Sequence, residues 1–228
     1  MLTSSHLLGL AVSTAGGFGL NAVASRCLSH EPLHGFPRWR WYLSVCLQVV
    51  VFPPVVGLAL AMNHGLSSKF LTLAWADYPD PTFALAYIYV LFGSQARDIL
   101  KWENMLLWVH HVVVMSTCAA TLAAPAGAGL YIMGTFILEL GSIFFNLRTM
   151  YPESEPLKWM YYVTMPISNL LALGLGGFMC FTKLPGIGLG FKSLFGLSVL
   201  GVTFGRHRHQ MIDMGRWGGS KKQENKKN

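Results

Sequence analysis

Met105-Leu-Leu-Trp-Val-His-His-Val-Val-Val-Met115 is the stretch that decides how this chain is read, and it runs on without a charged residue to Ala124. As a helix it approaches the roughly 20 apolar residues that cross the hydrocarbon core of a bilayer. Yet it carries two adjacent histidines, His110 and His111. Ionisable groups at membrane depth are costly and face a bundle interior or a wet cavity. The next apolar stretch, Leu130 to Phe145, holds another such group, Glu139. Two neighbouring segments with ionisable groups point to a shared interior site.

Composition agrees with a membrane reading. The 228 residues are 53% hydrophobic and 12% charged, and the mean hydropathy is +0.44. A water-soluble domain averages about 25% charged residues, and a core this large would need that charge to cover it. The net charge of +7 suggests nucleic acid only until the cations are located. They lie in short loops and a tail, where they act as topology determinants rather than as a nucleic-acid footprint. The cysteines, Cys27, Cys46, Cys118 and Cys180, are far apart, so free buried or lipid-facing thiols are expected, not a disulfide framework. No Cys or His spacing suggests a metal, and the histidine sets of di-iron lipid oxidases are missing.

Hydropathy and length predict an all-α, polytopic bundle with spans near 5–25, 41–62, 83–99, 104–124, 129–147, 159–181 and 187–205. The last is weak and glycine-rich at its start, so six to seven helices are expected. Pro53-Pro54 and Pro166 should disturb the second and sixth spans, because proline lacks a backbone donor and clashes with the preceding turn. The first span is expected to be an uncleaved helix rather than a secretory signal, since its start has no positive charge while Arg26 follows it. The chain divides into a first helix and basic loop (1–38), a six-helix membrane domain (39–205) and a basic tail (206–228).

Orientation follows from Lys and Arg placement. With seven spans, 14 of the 17 cations fall on one side, leaving Lys69, Lys183 and Lys192 on the other. The cation-rich side, with the C-terminus, is expected to be cytosolic. At a rise of about 1.5 Å per residue, His110 and His111 lie roughly 10 Å inside the cytosolic end of their helix, and Glu139 roughly 12 Å inside its own. Asn169 is about as deep. Gln95 and Asp98 share a helix face at the interface, as do Glu139, Ser142 and Asn146. These residues line the expected cavity.

Each candidate has a plain structural role beside a chemical one. The histidines suit interhelical hydrogen bonding or general acid–base work near neutral pH. Their side chains diverge by about 100°, so both cannot serve one small centre. Hydrogen-bond reach between an imidazole and Glu139, directly or through one bridging water, is expected from their matched depth. Asp98, beside Arg97 and Lys101, suits an interfacial ion pair, and Asn169 suits helix adhesion. Trp39-Arg-Trp41-Tyr42 and Trp159-Met-Tyr161-Tyr162 fit aromatic belts. The tail from Lys221 fits attraction to anionic cytosolic lipid headgroups.

The order Asp98, His110-His111, Glu139-Leu-Gly-Ser142 and Asn146-Leu-Arg148 resembles the TLC-domain family, the membrane domain shared by ceramide synthases and several lipid-homeostasis proteins. The resemblance covers about residues 40–205 and is closest to the small TLC-domain-containing proteins. It implies six helices around a lipid-sized cavity open toward the cytosol, an endomembrane such as the endoplasmic reticulum, and a role in lipid binding, sensing or homeostasis with no bound cofactor. Ceramide synthases continue into a His-Asp-x-x-Asp motif. Here the corresponding helix reads Ile137-Leu-Glu-Leu-Gly-Ser142, without histidine or aspartate. An acyl-CoA-dependent N-acyltransferase, with His110, His111 and Glu139 as its catalytic residues, is therefore the alternative, and a trafficking or cargo receptor a further one.

Overall fold

The computed structural model describes residues 2–33, 36–99 and 105–215. Lys101 and the basic tail from Arg216 onward lie outside the described residues. Helix α1 spans Ser4–Cys27. A reciprocal cap starts it: the Thr3 hydroxyl accepts from the His6 backbone at 3.3 Å, and the His6 ring accepts from the Thr3 backbone at 3.4 Å. α1 lies along α5 (Thr82–Ile99) at a crossing of small residues. A Cβ on Gly93 would strike the Ser13 carbonyl, and one on Gly17 the Gly93 carbonyl. Small residues let helix backbones approach in this way where lipid supplies no hydrophobic drive.

A two-residue hairpin, β1 (Pro32–Leu33) against β2 (Phe36–Pro37), leads into α2 (Arg38–Cys46). The helix widens to π geometry over Leu47–Val51 and continues as α3 (Phe52–Met62). Pro53 and Pro54 explain the widening. Neither donates a backbone bond, and their rings crowd the preceding turn. The Phe52 amide reaches back five residues to the Leu47 carbonyl. Such bulges recur at functional sites, and this one carries Gln48.

Beyond α3 the chain builds one end of the bundle from α4 (Ser68–Thr72) and a single 3-10 turn at Trp75–Asp77. The buried Asn63 amide donates to the Asp80 carbonyl at 2.6 Å and accepts from the Asp80 amide at 3.1 Å. Trp75 Nε1 donates to the Thr121 carbonyl at 3.1 Å. These bonds gather the ends of α3 and α6 (Met105–Ala123) with the start of α5, and the Gly127 amide, donating to the Leu73 carbonyl at 3.1 Å, brings the start of α7 (Ala128–Met150) to the same end.

α8 (Glu155–Phe181) continues through Pro166 as one helix, and α9 is Leu189–Asp213. Pro166 leaves the Tyr162 carbonyl without its helical donor. The side chain of Gln210, 1% exposed, supplies one from α9: its Nε2 donates to the carbonyls of Tyr161 and Tyr162 at 3.3 and 3.4 Å. Neighbouring helices restore proline-freed carbonyls in this manner inside membranes. α9 outlasts the expected boundary at residue 205, because no breaker intervenes before Gly215, whose φ is 67°.

Inside, Phe52, Tyr87, Ile88, Leu91 and Leu122 are buried together, while outside Leu8, Val12, Leu170, Leu197 and Phe181 are exposed. An apolar exterior on this scale is suited to lipid rather than to water. Four helices are long and apolar enough to cross a membrane by length and composition: Ser4–Cys27, Arg38–Met62, Ala128–Met150 and Glu155–Phe181. α6 adds a shorter apolar helix, Trp108–Ala123. The fold is a helical bundle of membrane-spanning character. Its cysteines are free.

Candidate functional site

A cavity of about 1390 Å³ lies between α2, α5, α6, α7 and α9. It reaches the surface near Pro152 and His209, and Val109 of α6 and Leu197 of α9, which also line it, are exposed on the exterior. Apolar side chains such as Phe52, Val113 and Val202 share its wall with a limited set of polar groups.

Two of those groups come from α6. The His111 ring and the Gln95 side-chain oxygen form a hydrogen bond at 2.5 Å, so Nδ1–H donates to an amide carbonyl. His110 stands beside it with ring centroids 5.5 Å apart. No hydrogen bond reaches the His110 ring among the described residues. It lies deeper and borders the inner narrowing of the cavity together with Glu139 and Arg206. Consecutive helical positions diverge in direction, which is why one imidazole is fixed to α5 and its neighbour faces inward.

Glu139 is held by a polar chain from the π segment. Asn146 Nδ2 donates to Gln48 Oε1 at 2.9 Å, and Gln48 Nε2 donates to Glu139 Oε2 at 2.7 Å. Gln48 occupies one oxygen of the Glu139 carboxylate. No imidazole–Glu139 bond occurs among the described residues. Facing Glu139, Arg206 ties three helices together. Its Nε donates to Asn169 Oδ1 at 2.8 Å, Nη1 to Ser142 Oγ at 2.6 Å, and Nη2 to the Leu138 carbonyl at 3.0 Å and to Ser168 Oγ at 3.3 Å. This approach requires Gly141, since a Cβ there would collide with the Ser168 hydroxyl and lie 2.9 Å from Arg206 Nη2.

The arginine-rich end of the cavity is built from ion pairs. Asp98 accepts from Arg40 at 2.8 Å and from Arg97 at 2.9 Å, and Arg97 also donates to Ser44 at 3.1 Å. Arg148 bonds Asp213 at 2.6 Å, with the Tyr161 hydroxyl donating to the same oxygen at 3.3 Å. These bonds gather the starts of α2 and α8 with the ends of α5, α7 and α9.

Of the residues singled out from sequence, Gln95, Asp98, His110, His111, Glu139, Ser142 and Asn146 all line this cavity. Asn169 stands behind it and acts through Arg206. The aromatic clusters divide: Tyr42 and Trp159 are exposed, while Trp39 and Tyr161 are buried because they pack inside the arginine-rich end. Sequence reasoning missed two residues. Gln48 is a lone amide in an apolar run, and the adjacent Pro-Pro was the signal that the helix there is irregular. Arg206 looked like a loop cation because a charge normally marks the end of a span. Among the described residues, no three His, Cys, Asp or Glu side chains converge to hold a metal.

Comparison of the chain with protein-family models, with curated proteins and with solved structures found no match. The geometry of the cavity therefore bears the functional argument.

Proposed function

We propose that this chain is a multi-pass, TLC-domain-like membrane protein that binds or senses a membrane lipid in its central cavity and so contributes to lipid homeostasis. Seven spans, with the arginine-rich end and the C-terminus cytosolic, complete the reading, and an endomembrane such as the endoplasmic reticulum is its site. The observation that carries it is the cavity: about 1390 Å³, against roughly 300–1,000 Å³ for small-molecule sites. Val109 and Leu197 line the cavity and are exposed on the apolar exterior, where a lipid would be met. A polar end and apolar walls match an amphiphile.

Protein purified in mild detergent should retain a lipid, detectable by extraction and mass spectrometry. Gly201 lines the cavity, and a Cβ there meets nothing within 4 Å. Gly201→Trp should therefore fold and lose the lipid. A wild-type protein that carries no lipid would defeat the reading.

The alternative, an acyl-CoA-dependent N-acyltransferase of ceramide-synthase type, draws on one observation. The inward imidazole of His110 has no hydrogen-bond partner among the described residues and borders the cavity. Lipid profiles of cells lacking the protein separate the two. Rescue by wild type but not by His110→Ala would favour chemistry, and rescue by both would favour binding.

A further inference from the structure

Beside the large cavity, across His110, Glu139 and Arg206, lies a second, smaller space of about 60 Å³. The three residues border both spaces and stand at the junction. The narrow branch lies between α6, α7, α8 and α9 and meets Tyr131, Met179 and Phe195, all buried. Tyr131 and Phe195 pack edge to face with centroids 5.4 Å apart, which gives the branch a firm wall.

Its chemistry is unsuited to water. The hydroxyls along it are engaged with the protein: Thr117 with the Val113 and Val114 carbonyls, Thr135 with those of Tyr131 and Ile132, and Ser198 with that of Leu194. The Tyr131 hydroxyl donates to the Val114 carbonyl at 3.3 Å and lies 3.0 Å from Cys118 Sγ. A buried water needs about two to four polar partners, and past the junction these groups are already committed. Hydrocarbon is the occupant such a space accepts.

We propose that the branch receives the tip of the hydrocarbon chain of the lipid held in the large cavity, and that Gly134 sets the limit on chain length. The proposal rests on the lipid-binding reading and adds a specificity-determining residue to it. Gly134 lines the branch, and a Cβ built there meets nothing within 4 Å. The space a side chain would take is part of the branch itself. The branch is small beside the main cavity, so it holds only the end of a chain. Glycine is also a poor helix former, so a larger residue at 134 fills the space without loss to α7.

The test feeds expressing cells an equimolar series of even-numbered saturated fatty acids, so that every headgroup class carries each chain length. The full-length protein is purified, and the lipid it retains is identified by mass spectrometry. Gly134→Leu should shift the retained chains toward shorter members of the series, and Gly134→Ala should shift them less in the same direction. Phe195→Ala, which removes part of the wall, should admit longer chains. Gly57→Leu, at an exposed position with no atom within 4 Å, should leave the profile as in wild type. Retained lipid with the same chain profile in wild type and both Gly134 variants overturns the proposal and leaves lipid binding standing. Absence of lipid from the wild type removes both. Should Gly134→Leu not fold, Gly134→Ala and Phe195→Ala still read the effect, in opposite directions.

Discussion

Arg206 shows how one side chain can define the interior of this molecule. Four hydrogen bonds join it to α7 and α8. Interhelical hydrogen bonds in membrane proteins average about 0.6 kcal/mol, so losing four should cost roughly 2 kcal/mol. Arg206→Gln should lower thermal stability in detergent by that amount. Arg206→Lys should recover little of it, because a single ammonium cannot reproduce the planar fork. Full recovery with lysine would mean that charge alone matters. His111 and Gln95 should behave as a coupled pair: a double-mutant cycle with alanine should give an interaction energy of about 0.5–1 kcal/mol, and His110 with Gln95 should give none. The histidines and Glu139 were legible because an ionisable group inside an apolar run is conspicuous. Gln48 and Arg206 were not, since inward direction depends on a π bulge and on how far a helix outlasts its apolar part. The same geometry bears on catalysis. Among the described residues no carboxylate bonds either imidazole, and Glu139 is committed to Gln48. Acyl transfer needs a base, an orienting partner and stabilisation of an oxyanion. Purified protein should therefore not N-acylate sphinganine from acyl-CoA. Robust turnover abolished by His110→Ala or His111→Ala would reverse that expectation.

At the scale of elements, proline and glutamine cooperate across a helix pair. Gln210 caps the Tyr162 carbonyl that Pro166 leaves open, so its value depends on the proline. Gln210→Leu should cost about 1–3 kcal/mol, the penalty of an unsatisfied buried carbonyl. In a Pro166→Ala background the residue 166 amide can bond the Tyr162 carbonyl itself, and the same substitution should cost less than about 1 kcal/mol. Equal costs in both backgrounds, measured by thermal unfolding, would show that Gln210 serves another purpose. Gly141→Ala should loosen the α7–α8 contact, since even a methyl group displaces Ser168. Helix positions were readable from runs of apolar residues, and both proline sites were readable as irregularities. What form each irregularity takes was not: Pro53-Pro54 produces a π segment, whereas Pro166 is absorbed with help from a residue 44 positions later in the chain. That help is tertiary, and no local pattern encodes it.

For the whole molecule, the open question is which way it sits in the bilayer. The ion pairs of Asp98 and Asp213 gather Arg40, Arg97 and Arg148 at one end, while Lys69, Lys183 and Lys192 belong to segments at the other. Cytosolic loops carry the excess of Lys and Arg, so the arginine-rich end, the cavity opening at His209 and the C-terminus should face the cytosol. An even number of crossings would separate this from the seven-span reading, because it would return the chain to the side on which it began. Single cysteines placed at Ser67 and Ser220 in a cysteine-free background report the two ends. In sealed, oriented vesicles an impermeant thiol reagent should reach Ser220→Cys from the cytosolic face and Ser67→Cys only from the opposite one. Labelling of both from one face would overturn the orientation. It would also move the opening at His209 away from the compartment in which its ligand is sought.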